Sequence, residues 1–263
     1  MKTSNLLTLA GAVAAAAALQ TASAATSVIN FTTAEGFTAG QLNGQNDITA
    51  QAGITVDPTG TGIVSSATNG FLRSVFFSGG SDATPATAAT RDQVISDLYD
   101  PNFQSLTLTL TGLTINRPAG TAPAGVFGLT NTSVSGAAQN VLGVQFRTDG
   151  SNVLIDNQAF GAVAPVDTGF DLGQTFETTI AITRDNAGEF TATATVGTAT
   201  LISGTTSDAG LLGAIFQAQG PSAGTLTFDG VRAESVLTAV PEPSTSLFAG
   251  LAGLCALGLR RRK

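Results

Sequence analysis

Ser105-Leu106-Thr107-Leu108-Thr109-Leu110-Thr111 alternates leucine with hydroxyl residues without a break. A period of two puts successive side chains on opposite faces of a strand. Leu106, Leu108 and Leu110 therefore predict one dry face, and the hydroxyls one wet face. The period returns in Phe176, Thr178, Ile180 and Ile182, and again in Phe190, Ala192, Ala194 and Val196. Between those runs lies Asp185-Asn186-Ala187-Gly188, whose turn composition predicts a hairpin. Asp149-Gly150 likewise joins Leu142, Val144 and Phe146 to Val153 and Ile155. Residues 213–217 and 225–236 read as a further pair of strands. Helical signals are confined to Thr90-Arg91-Asp92-Gln93, with capping-box spacing, followed by Val94, Ile95 and Leu98 and stopped at Asp100-Pro101. Residues 207–212 add a helical turn, and 79–89 read as a long loop. Short strands separated by turns predict an all-β antiparallel sandwich.

The two ends have a different composition. Val240-Pro241-Glu242-Pro243-Ser244-Thr245 precedes an apolar run over 247–259 and the terminal cluster Arg260, Arg261, Arg262, Lys263. The prolines fix φ and remove backbone donors, so this segment stays extended, as a processing enzyme requires. The apolar run can enter lipid as a helix, while the basic cluster resists translocation and acts as a membrane stop. At ~1.5 Å per residue it reaches only ~20 Å of a ~30 Å hydrocarbon core, which predicts a transient hold. Order, spacing and terminal position resemble the PEP-CTERM sorting signal of exported bacterial proteins. That resemblance implies cleavage by an exosortase-type membrane peptidase and delivery to the outer envelope or extracellular matrix.

At the other end, Lys2 supplies a positive n-region, residues 6–19 an alanine-rich apolar core, and Ala22-Ser23-Ala24 a small-residue cleavage site. Cleavage after Ala24 leaves Ala25 first, with the Sec translocon and signal peptidase as partners. The predicted organisation is a signal peptide over 1–24, a passenger domain over 25–239 and a sorting tail over 240–263. A signal helix and a short C-terminal transmembrane helix thus flank the sandwich.

Five of the 11 basic residues and Glu242 lie in the signals, which leaves the passenger six arginines against seventeen acids and a formal charge of −11. Phosphate binding needs clustered cations, so a nucleic-acid partner is excluded. The single cysteine, Cys255, sits in the tail. The passenger therefore has no disulfide and holds together by burial. Fifteen phenylalanines supply aromatic core; tryptophan and histidine are absent, and Tyr99 is the one tyrosine.

Glu35-Gly36-Phe37-Thr38-Ala39-Gly40-Gln41-Leu42-Asn43-Gly44-Gln45, followed by Ile54-Thr55-Val56, resembles the start of exported concanavalin-A/laminin-G-like jelly rolls. Gly224-Thr225-Leu226-Thr227-Phe228-Asp229-Gly230-Val231-Arg232 resembles their closing strand. Such proteins often carry tryptophan after the Gly-Gln pair, where this chain has Asn46-Asp47-Ile48. The resemblance implies a jelly-roll sandwich, an association with exopolysaccharide and biofilm, and a calcium ligand at Asp229. A plain polar residue at a strand kink before Gly230 is the alternative reading of Asp229.

Without histidine or a passenger thiol, Ser-His-Asp, Cys-His and histidine-ligated zinc chemistry are excluded. Glycoside hydrolysis needs only two carboxylates and stays open by composition. The four passenger glutamates, Glu35, Glu177, Glu189 and Glu234, form no paired-carboxylate strand motif. No catalytic residue and no cofactor beyond calcium is predicted. Tyr99 is expected to pack a short helix against the core, and the amide-rich stretch 152–158 reads as a loop able to meet sugar hydroxyls. The expected protein is a non-catalytic surface or matrix component; a carbohydrate-active enzyme on the same fold and a structural coat protein are the alternatives.

Overall fold

The computed structural model describes residues 23–46, 48–56, 63–66, 72–78, 93–117, 120–130, 142–157, 164–206, 213–218 and 224–238. Its strands begin with β1 Ser23–Ile29, β2 Gly40–Gln41, β3 Thr49–Ala50, β4 Ile54–Val56, β5 Ile63–Ser66 and β6 Leu72–Ser78. β7 Phe103–Asn116, β8 Gly120–Thr130, β9 Leu142–Asp149, β10 Asn152–Asp156 and β11 Val166–Asp171 follow. The last are β12 Thr175–Arg184, β13 Phe190–Val196, β14 Ala199–Thr206, β15 Gly213–Ala218, β16 Thr225–Phe228 and β17 Gly230–Leu237.

Two sheets result. The ten-stranded sheet runs β14-β13-β12-β7-β16-β5-β4-β2, with β17 beside β7 and β1 beside β17; the seven-stranded sheet runs β11-β10-β9-β8-β15-β6-β3. Neighbours along both paths are antiparallel. The inner faces meet through ring pairs that cross from sheet to sheet: Phe216 to Phe228 at 4.7 Å and Phe146 to Phe176 at 6.2 Å between centroids. The protein is an antiparallel β-sandwich, occupying the compact unit Ala24–Val236.

The leading alternation behaves as its period dictates, for Leu106, Leu108 and Leu110 are all fully buried. At Gly112 the period slips. Phe176 faces Leu113 while Thr178 faces Leu110, so β7 spends three residues where β12 spends two. Gly112 has φ +66°, a left-handed conformation that glycine adopts without steric cost, and a Cβ there would collide with the Asp229 carboxylate. Beyond this bulge the core-facing parity changes from even to odd, and Leu113, Ile115 and then Arg117 are buried.

Both predicted hairpins form. Arg184 pairs with Phe190, and Asp185 closes the turn by accepting Ala187 and Glu189 N–H on Oδ1 at 2.8 and 2.9 Å. β9 and β10 meet around Asp149-Gly150, with Phe146 opposite Ile155. Both stretches expected as strands, 213–217 and 225–236, are strands, but they do not pair with each other. β15 joins β6 and β8, whereas β16 joins β5 and β7, so these neighbours in sequence face each other across the core. A helical turn at 93–96 continues as a 3-10 turn Asp97–Tyr99 and stops at Asp100. Its start at Thr90–Asp92, the turn at 207–212 and the loop at 79–89 lie outside the described residues, as do the signal and tail helices. Among the described residues no helix is long and apolar enough to cross a membrane.

Candidate functional site

The outer face of the seven-stranded sheet carries side chains that sequence reading passed over. Val144 and Phe146 of β9, Ile155 of β10, and Phe127 and Phe216 of β8 and β15 point into the core. Their alternates point the other way. Register aligns four of them in one row across neighbouring strands: Asp156 opposite Gln145, Gln145 opposite Val126, and Val126 opposite Gln217. These residues are between 1% and 8% exposed. Ile215 packs on Val126 beside them.

Arg147, one row away opposite Leu154, forms an ion pair with Asp156 through Nε and donates from Nη2 to Gln145 Oε1 at 3.4 Å. The Asp156 side chain is 4% exposed and that of Arg147 20%. A carboxylate this buried is tolerated only when paired, so the row is held by a charge-assisted contact with an amide on its flank. The partly exposed Arg147 guanidinium at the flank of this row can meet the hydroxyls or carboxylates of a saccharide. Asp156 is the one carboxylate in the row and is already engaged, so it supplies no acid–base couple with a second acid. The signal available in the sequence was Gln145 and Arg147 alternating with Val144 and Phe146. Polar residues on the alternate face of a strand look ordinary until their burial is known.

Asp229 sits between β16 and β17, where its N–H donates to Thr111 O at 2.8 Å and its carboxylate lies over Gly112. Desolvation raises its pKa from the ordinary 3.8. A strand kink opposite a bulge accounts for this placement. Calcium wants six to eight oxygens, usually with several carboxylates. Among the described residues no three His, Cys, Asp or Glu side chains gather to hold a metal ion.

Other expectations resolve locally. Residues 152–156 of the stretch expected as a loop form β10, and Asn157 is buried, donating to Ile202 O at 3.2 Å; the alternation Val153–Ile155 outweighs the amides that flank it. Tyr99 lies edge-on to Phe190 at 6.4 Å and stays 41% exposed. The opening motif is structural: Thr32 and Glu35 form a capping box, Glu35 accepts Asn30 N–H, and Gln45 Nε2 donates to Thr38 O and Gln41 O. Asn46, where the resembled family often carries tryptophan, donates to Glu35 O at 2.9 Å.

Residues 239–263 match the family described as the PEP-CTERM protein-sorting motif. The tail is a PEP-CTERM sorting signal. The chain is accordingly an exported protein, transiently anchored in the membrane, with an exosortase-type processing partner. Val240–Thr245 and the basic cluster belong to that matched segment, which lies outside the described residues, as does Ala22 of the expected cleavage site. Ala24 and Ala25 fall within β1.

Solved structures similar in fold include a protein of unknown function from Shewanella oneidensis MR-1, at 16% identity and TM-score 0.43, covering 91% of this chain and 96% of that one. Another is the alginate lyase Aly36B in complex with alginate trisaccharide, at 12% identity and TM-score 0.42, covering 82% and 98%. The carbohydrate recognition domain of Emp47p is a third, at 14% identity and TM-score 0.39, covering 74% and 90%. No curated protein matches the chain in sequence.

Proposed function

We propose that the passenger is a non-catalytic surface or matrix module that contacts extracellular polysaccharide after export, in the setting of exopolysaccharide or biofilm. The observation that carries this reading is the in-register row Asp156, Gln145, Val126 and Gln217, flanked by Arg147. Arg147, with its side chain 20% exposed, is the group at this row that a saccharide meets, and the row's one carboxylate is already paired. Absent histidine and passenger thiols support a binding role over a catalytic one. Without tryptophan and with one tyrosine, the stacking platforms that combine an aromatic face with a polar handle are missing, so binding is expected to be weak.

A pull-down against insoluble polysaccharides, run beside a reducing-sugar assay on the same panel, tests this. Binding is expected without release of reducing ends, and Arg147→Gln should weaken it by about tenfold, the worth of one or two hydrogen bonds. Release of reducing ends that disappears in Asp156→Asn would establish the carbohydrate-active enzyme instead. Normal folding with no glycan bound would favour the structural coat protein.

Processing has its own readout. Intact mass of the exported protein should place the N-terminus at Ala25 and show the tail lost near Pro241–Pro243. Pro241→Ala with Pro243→Ala should leave the tail attached, because a helix can then extend into the extended segment. For Asp229, the melting temperature should not change on calcium chelation; a fall reproduced by Asp229→Asn would restore the calcium assignment.

A further inference from the structure

The described side chains include four passenger arginines, and three of them are accounted for. Arg147 pairs with Asp156, Arg232 with Glu234 at 2.8 Å, and Arg184 donates to Leu98 O and Asp100 O while its guanidinium lies 5.7 Å from the centroid of the Phe103 ring. Arg117 differs. It is 3% exposed, and Nε, Nη1 and Nη2 are all buried without a hydrogen-bond partner among the described residues.

Its position follows from the bulge. The parity change at Gly112 places residue 117 on the same face as Leu113 and Ile115, so the side chain points inward at the end of the sandwich. Gly224 leaves room for its stem: a Cβ at 224 would lie 2.7 Å from Arg117 Cγ. A guanidinium stays protonated in proteins and brings five donors in a planar fork, and a buried charge left unpaired is strongly unfavourable. Burial lowers the Arg117 pKa, the direction expected of a cation that has lost water.

We propose that Arg117 is the receptor for a carboxylate brought by a ligand at this end of the sandwich. The fork matches a carboxylate in bidentate geometry. That carboxylate can come from a uronic-acid sugar, which rests on the polysaccharide reading above, or from a small free acid. The site is separate from the row around Gln145, so either can fail alone. The passenger's formal charge of −11 repels an approaching anion, so moderate salt should strengthen this contact, whereas salt weakens an exposed ion pair.

The test titrates the exported protein, expressed from the full chain and processed by its own cells, with oligogalacturonate, monomeric galacturonate, acetate and a neutral galactose oligomer. Melting temperature and calorimetric affinity are the readouts. Oligogalacturonate and galacturonate should raise the melting temperature and the neutral oligomer should not. Arg117→Met should lose at least about thirtyfold in affinity, and Arg117→Lys, which keeps the charge without the fork, about three- to tenfold. Equal shifts with acetate would assign a small acid as the source and keep the carboxylate receptor. Without ligand, Arg117→Met should be at least as stable as the natural protein, because it removes an unpaired charge. The proposal is overturned if no carboxylate shifts the natural protein, or if Arg117→Met responds as strongly as the natural protein. Loss of stability in that variant together with no response to any carboxylate overturns it as well, by showing that the partner belongs to the chain. Binding of a neutral glycan that Arg117→Met leaves unchanged, with no carboxylate effect, would sink the proposal and leave the polysaccharide reading standing.

Discussion

On the ten-stranded sheet the residues that alternate with Leu106, Leu108 and Leu110 are threonines, and Thr107 and Thr109 stay half-exposed. On the seven-stranded sheet the residues that alternate with Val144, Phe146 and Phe216 are Gln145, Arg147 and Gln217; the two glutamines are buried, and Arg147 nearly so. Both faces obey the same period of two. They differ in what the outward side chains must satisfy. A threonine at an open face keeps its water, so its hydroxyl makes no demand on neighbours. Buried amide and charged groups must find partners within the fold, and Arg147 with Asp156 shows one such solution. Alternation therefore says which residues face the core, and leaves open whether the opposite face is wet.

Mutations on the two faces should separate sharply. The largest effect belongs to the charged pair: Asp156→Ala leaves Arg147 without its carboxylate and should cost about 3–5 kcal/mol in urea unfolding. Replacing both partners by Leu and Met should recover most of that loss, and a double variant as unstable as the single would break the assignment of the pair as mainly electrostatic. Gln217→Leu, on the same row, keeps volume but strands its partners and should cost about 1–3 kcal/mol.

A pH effect comes next. Desolvation raises the Asp229 pKa, so ionising it costs more in the folded than in the unfolded chain. Stability from this group is present below the unfolded value near 3.8 and declines as pH rises through the raised folded value. Asp229→Asn should match the natural protein at low pH and melt slightly higher at pH 7; equal melting at both would mean the carboxylate is fully solvated. Smallest of all, Thr109→Val on the open face should change stability by no more than about 0.5 kcal/mol. A loss approaching that of Gln217→Leu would erase the contrast between the faces.

Much of the sandwich was legible because its signals are local. The turn at Asp185–Gly188 closes with an Asp side chain bonding its own backbone two and four residues on, so β12 and β13 announce their pairing within a short stretch. The bulge also left a trace, since the apolar residues change parity between Leu110 and Leu113 with Gly112 between them. The break before Gly230 was legible as a kink, but the Gly112 backbone beneath the Asp229 carboxylate was not, because the two are far apart in the chain.

By itself the sequence determined the class of fold, the two adjacent hairpins and the sorting tail, all of which depend on residues close together along the chain. Only the tertiary structure decided which strands share a sheet. β15 and β16 were expected to pair and instead lie in opposite sheets, with Phe216 and Phe228 in contact across the core. Backbone ladders are chemically alike at every strand, so the choice of partner comes from packing both apolar faces at once. The same non-local packing buries Gln145, Gln217 and Arg117, and it turns residues that look solvent-facing or unremarkable in sequence into the candidate sites of this protein.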